Sequence, residues 1–173
     1  MYWCSQSRII RVEMDGSTGR RDIISGCKEG PIAVDQETHS LFWLHAENWI
    51  ASCDSNGQNM RLLAKVGGHT LKIAVRSSSV VWLTQLGKTR LYSCGKDNCD
   101  GLRGRKLSDK FVPDVYVGDP DSQPRKRKNP CSGNLCSHIC VPTSTAYMRC
   151  VCPPELRLSS DGRSCGNNSM DFG

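Results

Sequence analysis

Six cysteines fall in the last 43 residues, spaced Cys131-x4-Cys136-x3-Cys140-x9-Cys150-x1-Cys152-x12-Cys165. A segment that short cannot bury a self-sufficient apolar core, so cross-links must replace it. Cysteine at this density reads as disulfide, which implies an oxidising compartment. Six cysteines allow many pairings, and spacing alone does not choose among them. Zinc is the competing use, with Cys136, Cys140, Cys150, Cys152 or His138 as ligands. The single residue between Cys150 and Cys152 is too tight for the usual zinc knuckle, so no metal site is expected. Arg127 and Lys128, just ahead of Cys131, would repel Ca²⁺, so no calcium site is expected either.

The other five cysteines are Cys4, Cys27, Cys53, Cys94 and Cys99, an odd number. Cys94 and Cys99 flank Gly95-Lys96-Asp97-Asn98, a hairpin-like turn, and are expected to bridge locally. One bridge is expected among Cys4, Cys27 and Cys53, with no choice made between them.

The first two thirds of the chain repeat. Tyr2-Trp3, Phe42-Trp43 and Val81-Trp82 place tryptophan at intervals of 40 and 39 residues. Each tryptophan is followed by a polar turn, at Asp15-Gly16, Asp54–Gly57 and Gly95–Asp97. Apolar runs precede two of them, Ile32–Asp35 and Ile73–Arg76. Further runs follow two of the turns, Asp22–Ile24 and Arg61–Leu63. Ile10–Met14 alternates as a half-buried strand does. Four short strands per period of about 40 residues fit a propeller blade better than a helical solenoid.

These units resemble the YWTD repeats of the low-density lipoprotein receptor family. Met1-Tyr2-Trp3-Cys4 followed by Ile10–Ser17 carries the likeness, as does Ile32–Asp35 followed by Leu41-Phe42-Trp43-Leu44. The motif's Asp is missing from all three units, and His45 stands in its place in the second. The cysteine segment resembles the EGF-like module that follows such a propeller, through Asn129-Pro130-Cys131, Cys136–Cys140 and Asp161–Cys165. The resemblance implies the pairing Cys131–Cys140, Cys136–Cys150 and Cys152–Cys165. It also implies an all-β fold: about three blades of a six-bladed propeller over 1–120, a linker over 121–130, the module over 131–165 and a tail over 166–173. Val115–Val117 looks like the family's closing strand, and Gln123-Pro124 like its linker.

Net charge is +6, concentrated in one run, Arg125-Lys126-Arg127-Lys128. Residues 1–124 carry 16 basic and 14 acidic side chains, and residues 129–173 carry three of each. This is not the distribution of a nucleic-acid-binding face, and the run reads as a solvated linker. No apolar stretch is long enough to span a membrane, and no signal-peptide core follows Met1. Disulfides without such a leader point to a piece of a longer secreted or membrane-anchored chain, whose remaining blades would complete the propeller. Asn167-Asn168-Ser169 is a glycosylation sequon with Asn167 as acceptor. His39 and His45 invite a reading as endosomal pH switches.

No phosphate loop, HExxH or Gly-x-Ser-x-Gly elbow is present. Some propellers are metal hydrolases, but only Asp35 offers a carboxylate at an evident strand end. The chain is expected to be neither an enzyme nor a cofactor binder. The resemblance implies an endocytic receptor ectodomain that binds protein or lipoprotein ligands at the cell surface and in endosomes. A Wnt-type signalling co-receptor or a matrix protein of the same architecture is the alternative.

Overall fold

The computed structural model describes residues 1–14, 19–108, 129–143 and 147–167. The turn expected at Asp15-Gly16, Val115–Val117, the linker as far as its basic run Arg125–Lys128, and Ser169 of the sequon lie outside the described residues. All regular structure among the described residues is β.

The first sheet is a meander of three strands, β1 (Tyr2–Ser5), β2 (Arg8–Arg11) and β3 (Arg21–Ser25). The second holds four, β4 (Cys27–Val34), β5 (Leu41–His45), β6 (Trp49–Cys53) and β7 (Arg61–Lys65), in chain order. The third repeats that order with β8 (His69–Val75), β9 (Ser79–Leu86), β10 (Lys88–Gly95) and β11 (Arg103–Ser108). All neighbouring strands are antiparallel, as hairpin connections of this length require.

The tryptophan repeat has a structural meaning. Trp43 and Trp82 occupy the second strand of their sheets, and Trp3 occupies β1, the matching place in the first. In β5 the alternation of side chains serves two interfaces at once. Leu41 and Trp43 pack with Ile9, Cys27, Ala51 and Cys53. Phe42 and Leu44 point the other way and pack with Ile50, Ala64, Ile73, Val80, Trp82 and Cys94. A strand buried on both faces reads as an unbroken apolar run, and Leu41-Phe42-Trp43-Leu44 is one. Trp82 stacks on Tyr92 with ring centroids 5.9 Å apart.

Glycine is required where the second sheet meets the first. Gly57 has φ +82°, and a Cβ there would lie 2.3 Å from the Ile23 carbonyl oxygen on β3. The turn it occupies is built by Asp54, whose Oδ1 accepts from the Asn56 and Gln58 amides while Oδ2 accepts from Asn59 Nδ2.

The cysteine segment forms two small hairpins, β12 (Ile139–Pro142) with β13 (Met148–Val151) and β14 (Arg157–Leu158) with β15 (Cys165–Gly166). Disulfides join Cys131 to Cys140, Cys136 to Cys150 and Cys152 to Cys165. Cys150 is the buried residue around which the segment closes.

Candidate interaction surfaces

The loops of the second and third sheets gather at two opposite ends. At one end lie the β4–β5 and β6–β7 turns with the β8–β9 and β10–β11 turns. Lys96 Nζ of the third sheet reaches 2.6 Å from Asp35 Oδ2 of the second, with side chains only 11% and 7% exposed. Asp35 also accepts from Thr38 Oγ1 at 2.8 Å and from the Glu37 amide at 3.1 Å. Burial alone would raise the Asp35 carboxyl. The hydrogen bonds from Lys96, Thr38 and Glu37, with the Lys96 charge, outweigh it and hold the carboxyl below its ordinary range. Arg61 pairs with Asp97 at 3.7 Å across the same junction. A cleft of ≈ 310 Å³ opens beside the pair, lined among others by Asp35, Thr38, Arg61 and Lys96. Asp35, the one strand-end carboxylate noted from the sequence, is thus committed to a lysine 61 residues away. No local pattern in the sequence signals that partnership.

At the other end, the hairpin turns of all three sheets come together. The Ser7 carbonyl accepts from Gly26 N at 2.8 Å, Gly26 O from Ala46 N at 2.8 Å, and Asn48 O from Val66 N at 2.8 Å. Gly26, at φ +87°, leaves room for His45: a Cβ there would lie 2.6 Å from its Nε2. His45 Nδ1 in turn accepts from the Glu47 amide at 3.3 Å. Gly68 sits equally close to Gln85 and Leu86, and Leu86 projects into solvent at 75% exposure. His39 lies in the turn before β5 and His45 at that strand's far end, so the structure does not bring the two together.

Of the tandem residues that mark the repeat, Phe42, Trp43, Val81 and Trp82 are buried, while Tyr2 and Trp3 are half-buried. Cys4 and Cys27 are bridged, as are Cys94 and Cys99, and Cys53 is a buried free thiol. Burial and the neighbouring Asp54 push the Cys53 thiol up to about 11.

In the module, Asn129 Oδ1 accepts from the Cys131 amide, which fixes the entry to the first cysteine. Asp161 organises the last turn by accepting from the Arg163 and Ser164 amides and from Ser164 Oγ at 2.6 Å. The Ser164 contacts hold the Asp161 carboxyl down at about 2. Asn167 is exposed at the end of the described residues.

Sheets of consecutive antiparallel strands stacked face to face define one class, propeller-type blades, and the three-disulfide hairpins define another, an EGF-like module. Both resemble parts found in the low-density lipoprotein receptor family. The chain is 27% identical over 168 residues to low-density lipoprotein receptor-related protein 5 of Homo sapiens, covering 92% of this chain and 10% of the relative. The Mus musculus protein gives the same identity and coverage. The chain thus spans about a tenth of the length of the curated relatives it matches. No family model matches it. Among solved structures, a chain of a nidogen/laminin complex aligns over 60% of this chain and 41% of its own, at 19% identity and a TM-score of 0.48. By this likeness the chain resembles a short part of a receptor-related protein.

Proposed function

We propose that this chain contributes a protein-binding surface to an extracellular receptor, with blades over 1–120 and the module over 131–165. The reading is carried by one observation. The hairpin turns of three stacked sheets, at Gln6-Ser7, Ala46–Asn48 and Leu86-Gly87, are held side by side by backbone hydrogen bonds and close glycine contacts. They form one continuous, mostly polar loop face with an exposed leucine, Leu86, at its third turn. Polar rims around an apolar anchor are how protein partners are held.

The first candidate partner is a secreted signalling protein of the Wnt class, because the curated relatives are receptor-related protein 5 from two mammals. The second is a lipoprotein particle, as the family resemblance implies, with uptake and release in endosomes. Surface-immobilised chain tested against a purified Wnt protein and against purified lipoproteins separates the two. Saturable Wnt binding that falls about tenfold in Leu86→Arg supports the first reading. Lipoprotein binding alone moves the assignment to the second, and binding of neither overturns the proposed face.

A further inference from the structure

The ≈ 310 Å³ cleft beside the Asp35–Lys96 pair carries spare negative charge. Its ionised lining is Asp35, Glu37 and Asp97 against Arg61 and Lys96, three carboxylates and two cations. Asp35 and Lys96 neutralise each other at 2.6 Å. Arg61 is held chiefly by backbone, its Nη1 donating to the Asp97 carbonyl oxygen at 3.3 Å. Its contact with the Asp97 carboxylate is 3.7 Å, too long for a hydrogen bond, and Asp97 is 93% exposed. Glu37 engages only through its backbone amide, which donates to Asp35. The Glu37 carboxylate is exposed and has no partner among the described residues. Two acidic groups, one from the β4–β5 turn and one from the β10–β11 turn, thus face the same cleft with their hydrogen-bonding capacity unspent.

A second observation points into the same place. Ser52 is 2% exposed, and its Oγ has no hydrogen-bond partner. In register it lies directly between Phe42 of β5 and Arg61 of β7. Residues directly opposite on an antiparallel ladder share a face. Phe42 and Arg61 both line the cleft, so Ser52 belongs to the face on which the cleft opens. A buried hydroxyl without a partner is costly, and a ligand seated here would supply one.

The chemistry of the lining selects the ligand. An anion would meet an excess of carboxylate, with both cations already engaged. A neutral sugar would leave the excess unanswered. A bare metal ion finds no group of three His, Cys, Asp or Glu ligands among the described residues. An organic cation answers each feature. Its N–H groups donate to Glu37, Asp97 and Ser52 Oγ, and an alkyl stem has Phe42 to lie against. We infer that this cleft between the second and third sheets receives a lysine or arginine side chain of a protein partner. The site lies at the end opposite the loop face proposed above and does not rest on that reading.

The test is a nuclear magnetic resonance titration of the full 173-residue, disulfide-intact, ¹⁵N-labelled chain with Nα-acetyl-lysine methylamide and with Nα-acetyl-arginine methylamide. Saturable shifts of the Glu37, Ser52 and Asp97 amides in the millimolar range are expected from at least one probe, and none from the uncharged norleucine analogue. E37Q/D97N is expected to weaken binding about tenfold, while E29Q/E47Q, which removes the same charge elsewhere, stays within about twofold. S52A is expected to weaken it about threefold yet melt no lower than the parent, because no hydrogen bond is lost in the ligand-free chain. No response to either cationic probe up to about 50 mM overturns the proposal, as do equal shifts with norleucine. Parental binding by E37Q/D97N, or an equal loss in E29Q/E47Q, overturns the location, and parental binding by S52A counts against the seat. Spermidine binding more than about tenfold tighter than both blocked amino acids overturns the protein source in favour of a free polyamine.

Discussion

Replacing Lys96 with methionine isolates what holds the second and third sheets in register. The change keeps a long apolar stem and deletes the ammonium 2.6 Å from Asp35. Asp35 would keep two hydrogen bonds, from Thr38 Oγ1 and the Glu37 amide, in a site where its side chain is 7% exposed. Removing one partner of a buried ion pair costs about 3–5 kcal/mol, because the other charge is left uncompensated. The two surviving hydrogen bonds set the expectation at the low end, about 3 kcal/mol, which for a chain of this size lowers the melting temperature by about 6–12 °C. The pH dependence carries a sign. In the parent, the Asp35 carboxyl is held below its unfolded value, so its contribution is complete above about pH 4 and fades as pH falls through the folded pKa. In Lys96→Met, burial acts without the cation and the folded pKa rises. The stability gap between parent and variant therefore narrows as pH drops from 7 towards 3. The double variant Asp35→Asn/Lys96→Met should recover about 1–2 kcal/mol over Lys96→Met, since no charge stays buried. Calorimetry or urea unfolding at several pH values reads all three. A loss below about 1 kcal/mol, or a gap constant with pH, would refute the assignment of the pair as the inter-sheet lock.

Gly57→Ala should destabilise the first two sheets by about 1–3 kcal/mol, because it combines φ +82° with a Cβ 2.3 Å from the Ile23 carbonyl oxygen; a thermal melt checks it. Cys53 should resist iodoacetamide at pH 8 in the native chain and titrate as one thiol after unfolding, since burial raises its pKa to about 11 and only the thiolate reacts. Opening the Cys4–Cys27 bridge with paired serines should cost about 3 kcal/mol of stability by the chain-entropy relation for a loop of 23 residues, read by urea unfolding. The module's last turn should hold above about pH 4 and loosen as pH falls towards 2, where Asp161 takes up its proton; amide exchange of Arg163 and Ser164 follows that transition.

What the sequence made legible was whatever repeats with a short period. A tryptophan every 40 residues marked β5 and β9, the second strands of the second and third sheets, and β1 of the first; in β5 the strand is buried on both faces and so must be apolar without interruption. The turn Gly95–Asn98 told that Cys94 and Cys99 were neighbours, because four residues leave the chain little choice. The Cys4–Cys27 bridge was not legible, and the reason is the length of β4. Apolar residues start at Ile32, so pattern reading begins the strand there. The observed strand begins at Cys27, and the register of β4 against β5 shifts between Cys27 and Ile32. Lys28, Glu29, Gly30 and Pro31 carry no strand signal, yet they bring Cys27 level with His45 and within reach of Cys4 on β1. Cys53, paired in register with Leu41, lies at the opposite end of β5, four residues further along the strand or about 14 Å away. The Asp35–Lys96 lock was hidden for a related reason: both residues lie just past strand ends, where periodicity stops. A cross-strand or cross-sheet partner is set by where strands begin, and strand starts made of polar or helix-breaking residues are where a periodic sequence is least informative.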